Sequence, residues 1–186
     1  MVGSGPLAAE IAATIRALAP SCRVLAWDGM PEPDALVGSG FLIGVAGSDA
    51  TGPLHRINRV AVSRNIPWLP IRVIADTVRF GPTVVPGATA CLLCTALREA
   101  ALPHPPAPFP PREGGAAPPR PSLAMERGQG GEVPTLAALE ALQTLLGEPS
   151  RARGYLGLID RESGEWTWHP VLRHPRCPVC GGLPWS

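Results

Sequence analysis

The sequence predicts an α/β domain with a mainly parallel sheet, because short apolar runs of strand length alternate with amphipathic helices along the chain. Two further observations refine this class. A hairpin is predicted near the carboxyl end, and two Cys-x-x-Cys pairs predict a zinc knuckle. With 186 residues, the chain is long enough to bury a core of its own.

The first half of the chain supplies most of the predicted elements. A glycine turn opens a first helix, in which Leu7, Ile11, Ile15 and Leu18 share one face. A second helix is predicted over residues 52–65, with an inward face made of Leu54, Ile57 and Ala61. Strands are predicted at residues 23–27, 41–46, 68–74 and 77–85, the last two as a hairpin.

The second half begins with a Pro- and Gly-rich segment, residues 103–134, that is typical of neither helix nor sheet. We expect a mobile loop there, between residues 1–102 and residues 135–186 of the same domain, and a proline-rich partner motif is the alternative. A helix is predicted at 135–146, with Leu136, Leu139, Leu142 and Leu146 on one face. Residues 154–160 and 165–172 form the last hairpin, in which Trp166 and Trp168 share a face that either a helix or a partner covers.

The most specific chemical signal is the pair of motifs Cys91-Leu-Leu-Cys94 and Cys177-Pro-Val-Cys180, with the 82 residues 95–176 between them. Each motif places two thiolates on one side of a tight turn, so the two together complete a tetrahedral Zn(Cys)4 site. A disulfide or a thioredoxin-type redox motif would explain a single pair, but two pairs favour structural zinc. Four protein ligands leave no position for a water, so such a metal does no chemistry.

Composition excludes several functions. The net charge of +1 gives no indication of nucleic-acid or membrane binding, and no apolar run reaches transmembrane length. Residues 1–20 lack the order of a signal peptide, and four metal-binding cysteines suit a reducing cytoplasm, which is the predicted compartment. All 16 basic residues are arginine, which excludes every mechanism that depends on a lysine.

The order of these features resembles a known family. A GxG turn, an acidic residue after the second strand, GSDATGPLHRINR, IPWLPIRV, GPTVVPGATACLLC and HPRCPVCGG are similar to ThiF/MoeB/HesA-type proteins, relatives of ubiquitin-activating enzymes. The resemblance is closest to the ocin-ThiF-like branch, whose members bind precursor peptides beside YcaO cyclodehydratases in the biosynthesis of azoline-containing, thiopeptide-type ribosomal peptides. It implies a Rossmann-like fold and covers the chain apart from the Pro-rich segment.

The resemblance also implies a relic nucleotide site, since activating enzymes of this class adenylate a peptide C-terminus. The matching positions are Gly3 and Gly5 of the glycine loop, Asp28 for the ribose acid, Asp49 for the metal-binding acid and Arg56 for the arginine after it. Helix capping is the alternative role for both aspartates. Phe41 follows Asp28 by only 13 positions, which leaves no room for the segment that bears the family's lysine. We therefore expect no catalytic residue, no ATP as cofactor and no adenylation.

A second departure concerns the sheet. Only Met1 and Val2 precede the glycine turn, so the first strand of the family is expected to be missing here. A longer N-terminus, another chain or a homodimer partner would then complete the sheet edge.

The role that remains is that of a binding scaffold. By resemblance, it would hold or relay a precursor peptide and dock on a YcaO-type cyclodehydratase, and the open sheet edge is one expected contact surface. The other expected contact residues are Trp166, Trp168, Arg56, Arg59 and Arg64. An adenylating enzyme of the ThiF/MoeB type is the alternative function, and a nicotinamide-binding oxidoreductase rests on the glycine turn alone.

Overall fold

The computed structural model describes residues 2–3, 5–47, 51–101 and 132–182, which form an α/β fold with a five-stranded sheet. The elements in chain order are α1 (Pro6–Leu18), a short 3-10 helix (Pro33–Leu36), β1 (Leu42–Ala46), α2 (Thr51–Ser63), β2 (Trp68–Ile74), β3 (Thr77–Phe80), α3 (Leu92–Ala101), α4 (Glu132–Leu146), β4 (Tyr155–Asp160) and β5 (Trp166–Pro170). Apart from the first residues of α4, the predicted Pro-rich loop lies outside the described residues. No helix in the described ranges is long and apolar enough to cross a membrane.

The sheet is mixed, with the strand order β1-β2-β3-β4-β5. β1 and β2 are parallel, with Leu42 opposite Trp68, and α2 connects them. The other three strand pairs are antiparallel, so the mainly parallel sheet that the sequence predicts is not confirmed. For the pairs β2–β3 and β4–β5 the physical reason lies in the connections, since the short turns after β2 and β4 reverse the chain and cannot make the long crossover that a parallel pair needs. The connection from β3 to β4 is long and contains α3 and α4, so this reason does not apply to that pair.

The strand predicted at residues 23–27 is reduced to a single bridge. Val2 lies between Trp27 and Gly44 and forms a parallel bridge with each of them. The backbone N–H and C=O of Val2 both bond to β1, at 2.7 and 2.8 Å, and its side chain is buried. Within the described part of the chain, Val2 alone occupies the place where the resemblance implies a first strand.

One face of the sheet is covered by α1 and α4, which also pack against each other. Ile11 and Ile15 of α1 are buried in this core, as predicted, whereas Leu18 is about half exposed. The sheet contributes apolar side chains from four strands, among them Ile43, Leu69, Ile71, Val78, Phe80 and Ile159.

The most buried apolar side chains in the middle of α4 are alanines, and of the predicted leucines Leu136 packs partly buried against this core. Ala137, Ala138 and Ala141 are almost fully buried, whereas Leu139 and Leu146 are 43% and 76% exposed. The small side chains allow α4 to lie close to α1. Alanine and leucine repeat with the same helical spacing along α4, so periodicity alone did not distinguish the two faces.

The other face of the sheet is covered by α2 and α3. Leu54, Ile57 and Ala61 of α2 are buried there, as predicted. The same apolar cluster includes Trp68 of β2 and ends in the cysteine side chains, so the second core is continuous with the predicted knuckle. Helix α3, which the sequence did not predict, begins directly after Cys91.

Trp166 and Trp168 of β5 form a stacked pair at the edge of the α1/α4 core. Their ring centroids are 5.5 Å apart, and each ring meets Phe80 edge-on at 6.0 and 6.3 Å. The indole N–H of Trp166 donates to Glu132 at the start of α4, and the guanidinium of Arg151 lies over the ring of Trp168 at 5.2 Å. This packing agrees with the alternative in which a helix covers the tryptophan face.

Glu140 is a buried carboxylate that joins three segments of the chain. One carboxylate oxygen accepts from the hydroxyl of Thr83 at 2.6 Å, and the other accepts from the backbone N–H of Ala152 at 3.2 Å. Glu140 is 3% exposed, and Thr83 and Ala152 are fully buried. The carboxylate therefore satisfies two donors that would otherwise be left without partners on the side of α4 that faces the sheet.

We expect Glu140→Ala to lower the free energy of unfolding by about 3 kcal/mol, because it orphans two buried donors and leaves a void. Denaturant unfolding followed by circular dichroism measures this loss. Glu10→Ala, at an exposed position of α1, is the control and should change stability by less than about 0.5 kcal/mol. Equal unfolding midpoints for the two variants would contradict the structural role of Glu140.

Candidate metal centre

Four cysteine side chains meet where the second core ends. Cys91 directly precedes α3 and Cys94 lies in its first turn, so both thiols are near the N-terminus of a helix. The partial positive charge of that end favours thiolates. Cys177 and Cys180 lie in a turn that follows β5 and faces the first pair. The fold thus brings together the two motifs that the sequence predicts to meet.

The geometry of the four sulfurs fits a tetrahedral metal ion. All four lie within 4.8 Å of one another, and the Sγ–Sγ distances are 3.8 Å for Cys91 and Cys94, 3.6 Å for Cys91 and Cys177, and 3.3 Å for Cys94 and Cys180. Zinc with Zn–S bonds of about 2.3 Å places its sulfurs about 3.8 Å apart. These distances far exceed the roughly 2.0 Å of a disulfide bond, and all four residues are buried.

The four thiols differ in how readily they ionise. The S–H of Cys91 donates to Cys94, and this bond, with a smaller contribution from the backbone N–H of His174, lowers the pKa of Cys94 to about 4. Burial is the main cause that raises the pKa of Cys180 to about 11, and the bond to Cys94 raises the pKa of Cys91. One thiolate thus suppresses ionisation of its neighbours, a limit that a divalent cation removes.

Two arginines fix the second cysteine pair to the first. The side chain of Arg98 in α3 donates to the carbonyl oxygens of Leu172 and Arg173 at 2.6 and 2.8 Å. The buried guanidinium of Arg173 donates to the carbonyls of Gly87 and Cys180 at 2.8 and 2.5 Å. A divalent ion with four thiolates would carry a net charge of −2, and the Arg173 guanidinium, which bonds to the carbonyl of Cys180, would place positive charge near it.

Asn58 is a buried polar residue that supports the centre from α2. Its side-chain oxygen accepts the backbone N–H of Leu92 at 3.1 Å and so caps the N-terminus of α3. The sequence analysis did not assign this role to Asn58. The available signal was its position, four residues after Leu54 and next to Ile57 on the inward face of α2.

Gly181 is required by the shape of the second knuckle. A Cβ at this position would lie 2.6 Å from the carbonyl oxygen of Cys177 and 2.7 Å from that of Pro175. The backbone N–H of Gly181 donates to the same Cys177 oxygen at 2.7 Å, which closes the turn around the thiol. A Cβ on the neighbouring Gly182 would meet no atom within 4 Å.

The glycines of the predicted relic site precede α1. Gly3 has a φ of 135°, and a Cβ there would lie 2.4 Å from the carbonyl oxygen of Val45, so this position needs glycine. Gly5 has a φ of 98° and occupies the N-cap position of α1. The turn therefore allows close packing against β1, which explains the glycine at position 3 without a nucleotide.

Of the acidic and basic residues of the predicted nucleotide site, Asp28 and Arg56 lie within the described residues and Asp49 does not. Asp28 is exposed and follows Trp27, whose carbonyl oxygen accepts the N–H of Gly3 at 3.0 Å, so Asp28 and the glycine turn share one end of the sheet. Arg56 is exposed on α2. Asp49 lies outside the described residues. Nucleotide binding by this set stays a prediction.

Comparisons with known proteins are informative at the level of structure. No family profile matches the chain, and no curated protein matches its sequence. Among solved structures, a heterocyclase in complex with substrate and cofactor matches 97% of this chain and 25% of its own length, with 16% identity and a TM-score of 0.64. The heterocyclase TruD matches 97% of this chain and 27% of its own length, with 21% identity and a TM-score of 0.58.

E. coli MccB solved with ATP matches 89% of this chain and 48% of its own length, with 19% identity and a TM-score of 0.55. This chain thus corresponds to about a quarter of each heterocyclase and about half of MccB. Similarity at these identities establishes a fold and leaves activity, substrate and partner to be tested. The chain has the fold found in these heterocyclases and in MccB, in agreement with the resemblance that its motifs show.

Proposed function

We propose that this chain is a non-catalytic, zinc-stabilised scaffold that binds or relays a ribosomal precursor peptide and docks on a YcaO-type cyclodehydratase. The observation that carries the proposal is the combination of a buried four-cysteine cluster with a fold found in heterocyclases. The partner cyclodehydratase would carry out the ATP-dependent ring formation on Cys, Ser or Thr side chains, and this chain would supply binding surface.

The first part of the proposal is that the metal is zinc with a structural role. Four thiolate donors without a carboxylate or an exposed ligand position are the usual set for structural zinc. The ion would connect the N-terminus of α3 to the turn after β5, across a long stretch of sequence. Since such a site exists only in the folded chain, its binding free energy adds to folding stability, on the order of 10 kcal/mol at neutral pH.

We expect the purified full chain to contain about one zinc ion, and a strong chelator to lower its thermal midpoint. Cys91→Ser should lose both the metal and the cooperative unfolding transition. Cys22→Ser is the matched control, because Cys22 is a cysteine outside the cluster. Elemental analysis and scanning calorimetry measure the two quantities. Full zinc content in Cys91→Ser would show that the cluster is not the site.

A glycine pair tests the knuckle itself. Gly181→Ala places a Cβ against backbone atoms and should reduce zinc retention, whereas Gly182→Ala places it in open space and should leave zinc retention unchanged. Competition with a chromophoric chelator measures the rate of zinc loss. Equal rates for the two variants would contradict the tight turn around Cys177.

The second part of the proposal is the scaffold role. Its support is the match of almost the whole chain to part of a heterocyclase that was solved with its substrate and cofactor. Of the arginines expected to make contacts, Arg56 and Arg59 are exposed on α2, whereas Arg64 forms an ion pair with Asp34 at 3.0 Å. Arg56 and Arg59 also line a shallow cleft with Glu32, so α2 is the surface to test for a partner.

We expect a YcaO-type cyclodehydratase and its precursor peptide, taken from genes that neighbour the gene for this chain, to form heterocycles much faster in its presence than in its absence. A neighbourhood without such genes would remove the main support for this role. Charge reversal at the α2 surface, Arg56→Glu with Arg59→Glu, should weaken peptide or enzyme binding by about ten-fold if these arginines contact a partner. Arg16→Glu, on α1, is the control. Mass spectrometry follows the loss of water at each ring. Unchanged ring formation and peptide affinity without this chain would end the scaffold proposal.

The second candidate function is adenylation, which the fold of ATP-bound MccB and the predicted Asp28, Asp49 and Arg56 favour. The chain contains no lysine and has no room for the segment that bears it in the family, so we propose that adenylation is absent. An ATP–pyrophosphate exchange assay with the precursor peptide should give only background. Exchange that depends on the peptide and is lost in Asp49→Ala would establish the enzyme alternative instead.

A further inference from the structure

Asn58 is a polar side chain that is fully buried beside an apolar core. Its neighbours Ile57 and Ala61 along α2 belong to the apolar cluster that ends in the four cysteines. Burying a primary amide costs folding free energy unless its oxygen and its N–H groups find partners. The atoms that surround the two ends of this amide therefore indicate what the residue does.

The oxygen end of the Asn58 amide has a partner, and this partner fixes the orientation of the side chain. Oδ1 accepts the backbone N–H of Leu92 at 3.1 Å. A backbone N–H can only donate, so the oxygen and not the nitrogen must face Leu92. The nitrogen Nδ2 is therefore the end that is left for a second contact.

The nitrogen end carries two N–H donors and is buried, yet among the described residues Nδ2 has no partner in hydrogen-bond geometry. It lies close to the sulfur of Cys91, the residue that precedes Leu92. The bond to Cys94 and burial raise the pKa of Cys91, and hydrogen bonding from the Asn58 side chain opposes this rise. The donor is thus beside the thiol without making a full bond to it.

The two protonation states of sulfur explain this incomplete contact. A neutral thiol is a weak acceptor, whereas a thiolate accepts strong, charge-assisted hydrogen bonds. The S–H of Cys91 donates to Cys94, so Cys91 still carries its proton in this arrangement. A cysteine that binds a metal ion has lost its proton and offers its sulfur to a neighbouring donor. The buried N–H groups of Asn58 are therefore complementary to the metal-binding form of Cys91.

The other cysteine of the first motif has a donor of this kind. The sulfur of Cys94 accepts the backbone N–H of His174 at 3.3 Å, from the segment that follows β5. Asn58 would supply the corresponding donor to Cys91 from α2. Both sulfurs of the first motif would then be held by N–H groups from other segments of the chain.

We propose that the side-chain amide of Asn58 donates an N–H···S hydrogen bond to the metal-bound thiolate of Cys91. Asn58 is then a positioning residue of the metal centre in addition to a cap of α3. A donor of this kind fixes the orientation of a ligand and spreads the negative charge of four thiolates, and loss of such a partner typically lowers metal affinity by about 10- to 100-fold. This role rests on the zinc part of the proposed function and not on the scaffold part.

The test uses the full chain, labelled with 15N and loaded with cadmium-113, which replaces zinc at thiolate sites and is visible by NMR. An amide proton that is hydrogen-bonded to a cadmium-bound sulfur shows a scalar coupling to the metal nucleus. We expect this coupling for a side-chain N–H of Asn58 and for the backbone N–H of His174, which is the positive control. The chain has only two asparagines, and the exposed Asn65 is the negative control.

Asn58→Asp separates the two roles of the residue. The carboxylate still accepts the N–H of Leu92 and suits a helix N-terminus, so a residue that only capped α3 would leave zinc affinity and the thermal midpoint unchanged or raise them. Loss of the donor should instead weaken zinc binding by about ten-fold or more, measured by competition with a chromophoric chelator. Asn65→Asp makes the same chemical change at an exposed position and should leave zinc affinity unchanged.

Metal content distinguishes this role of Asn58 from the metal centre on which it depends. A chain that takes up neither zinc nor cadmium would overturn both. A loaded chain that shows the coupling of His174 but none for Asn58 would overturn only the role of Asn58, and so would full zinc affinity in Asn58→Asp. If Asn58→Asp does not fold, the coupling in the parent chain decides, because it needs no substitution.

Discussion

The buried cluster of four thiols is the constraint on which the second half of the structure depends. It joins residues that are 86 positions apart, Cys91 with Cys177 and Cys94 with Cys180. The thiols differ in how readily they ionise, since the hydrogen bond from Cys91 lowers the pKa of Cys94 whereas burial raises that of Cys180. A divalent cation held by the four sulfurs would favour the thiolate form of all of them.

Local sequence patterns predicted the elements whose spacing has a single interpretation. The inward face of α2, the two hairpins and the meeting of the cysteine pairs all belong to this group, because short turns and Cys-x-x-Cys motifs allow few geometries. Predictions failed where two interpretations have the same period. In α4, alanines and leucines repeat alike, and only the closeness of α1 decides that Ala137 and Ala141 are inside. The prediction of a mainly parallel sheet failed for a related reason. Whether two neighbouring strands are parallel depends on how the chain connects them, and the sequence of a strand does not show this.

The polar residues that support the site were missed, although each carries a signal in the sequence. Asn58 and Glu140 both occupy positions of apolar helical faces, where a polar group is costly unless it is bonded. Each of them is bonded to a backbone N–H of another segment, Asn58 to Leu92 and Glu140 to Ala152. A polar residue at an inward position therefore indicates a contact between segments. The partner cannot be named from the sequence, because it lies far away along the chain.

Thr95 breaks this pattern, and the contrast is informative. It occupies a buried position of α3 like the others, yet no described residue satisfies its hydroxyl. It follows Cys94 directly, so the helix that brings a thiol to the cluster also brings Thr95 and Glu99 to a small cavity between α3 and the sheet, which they line together with Arg79. A metal ion bound at the first turn of α3 would therefore also fix the position of Thr95 and Glu99 against the sheet. In this arrangement, a purely structural metal would also keep that cavity in shape, since a single short helix carries both the thiol and part of the cavity wall.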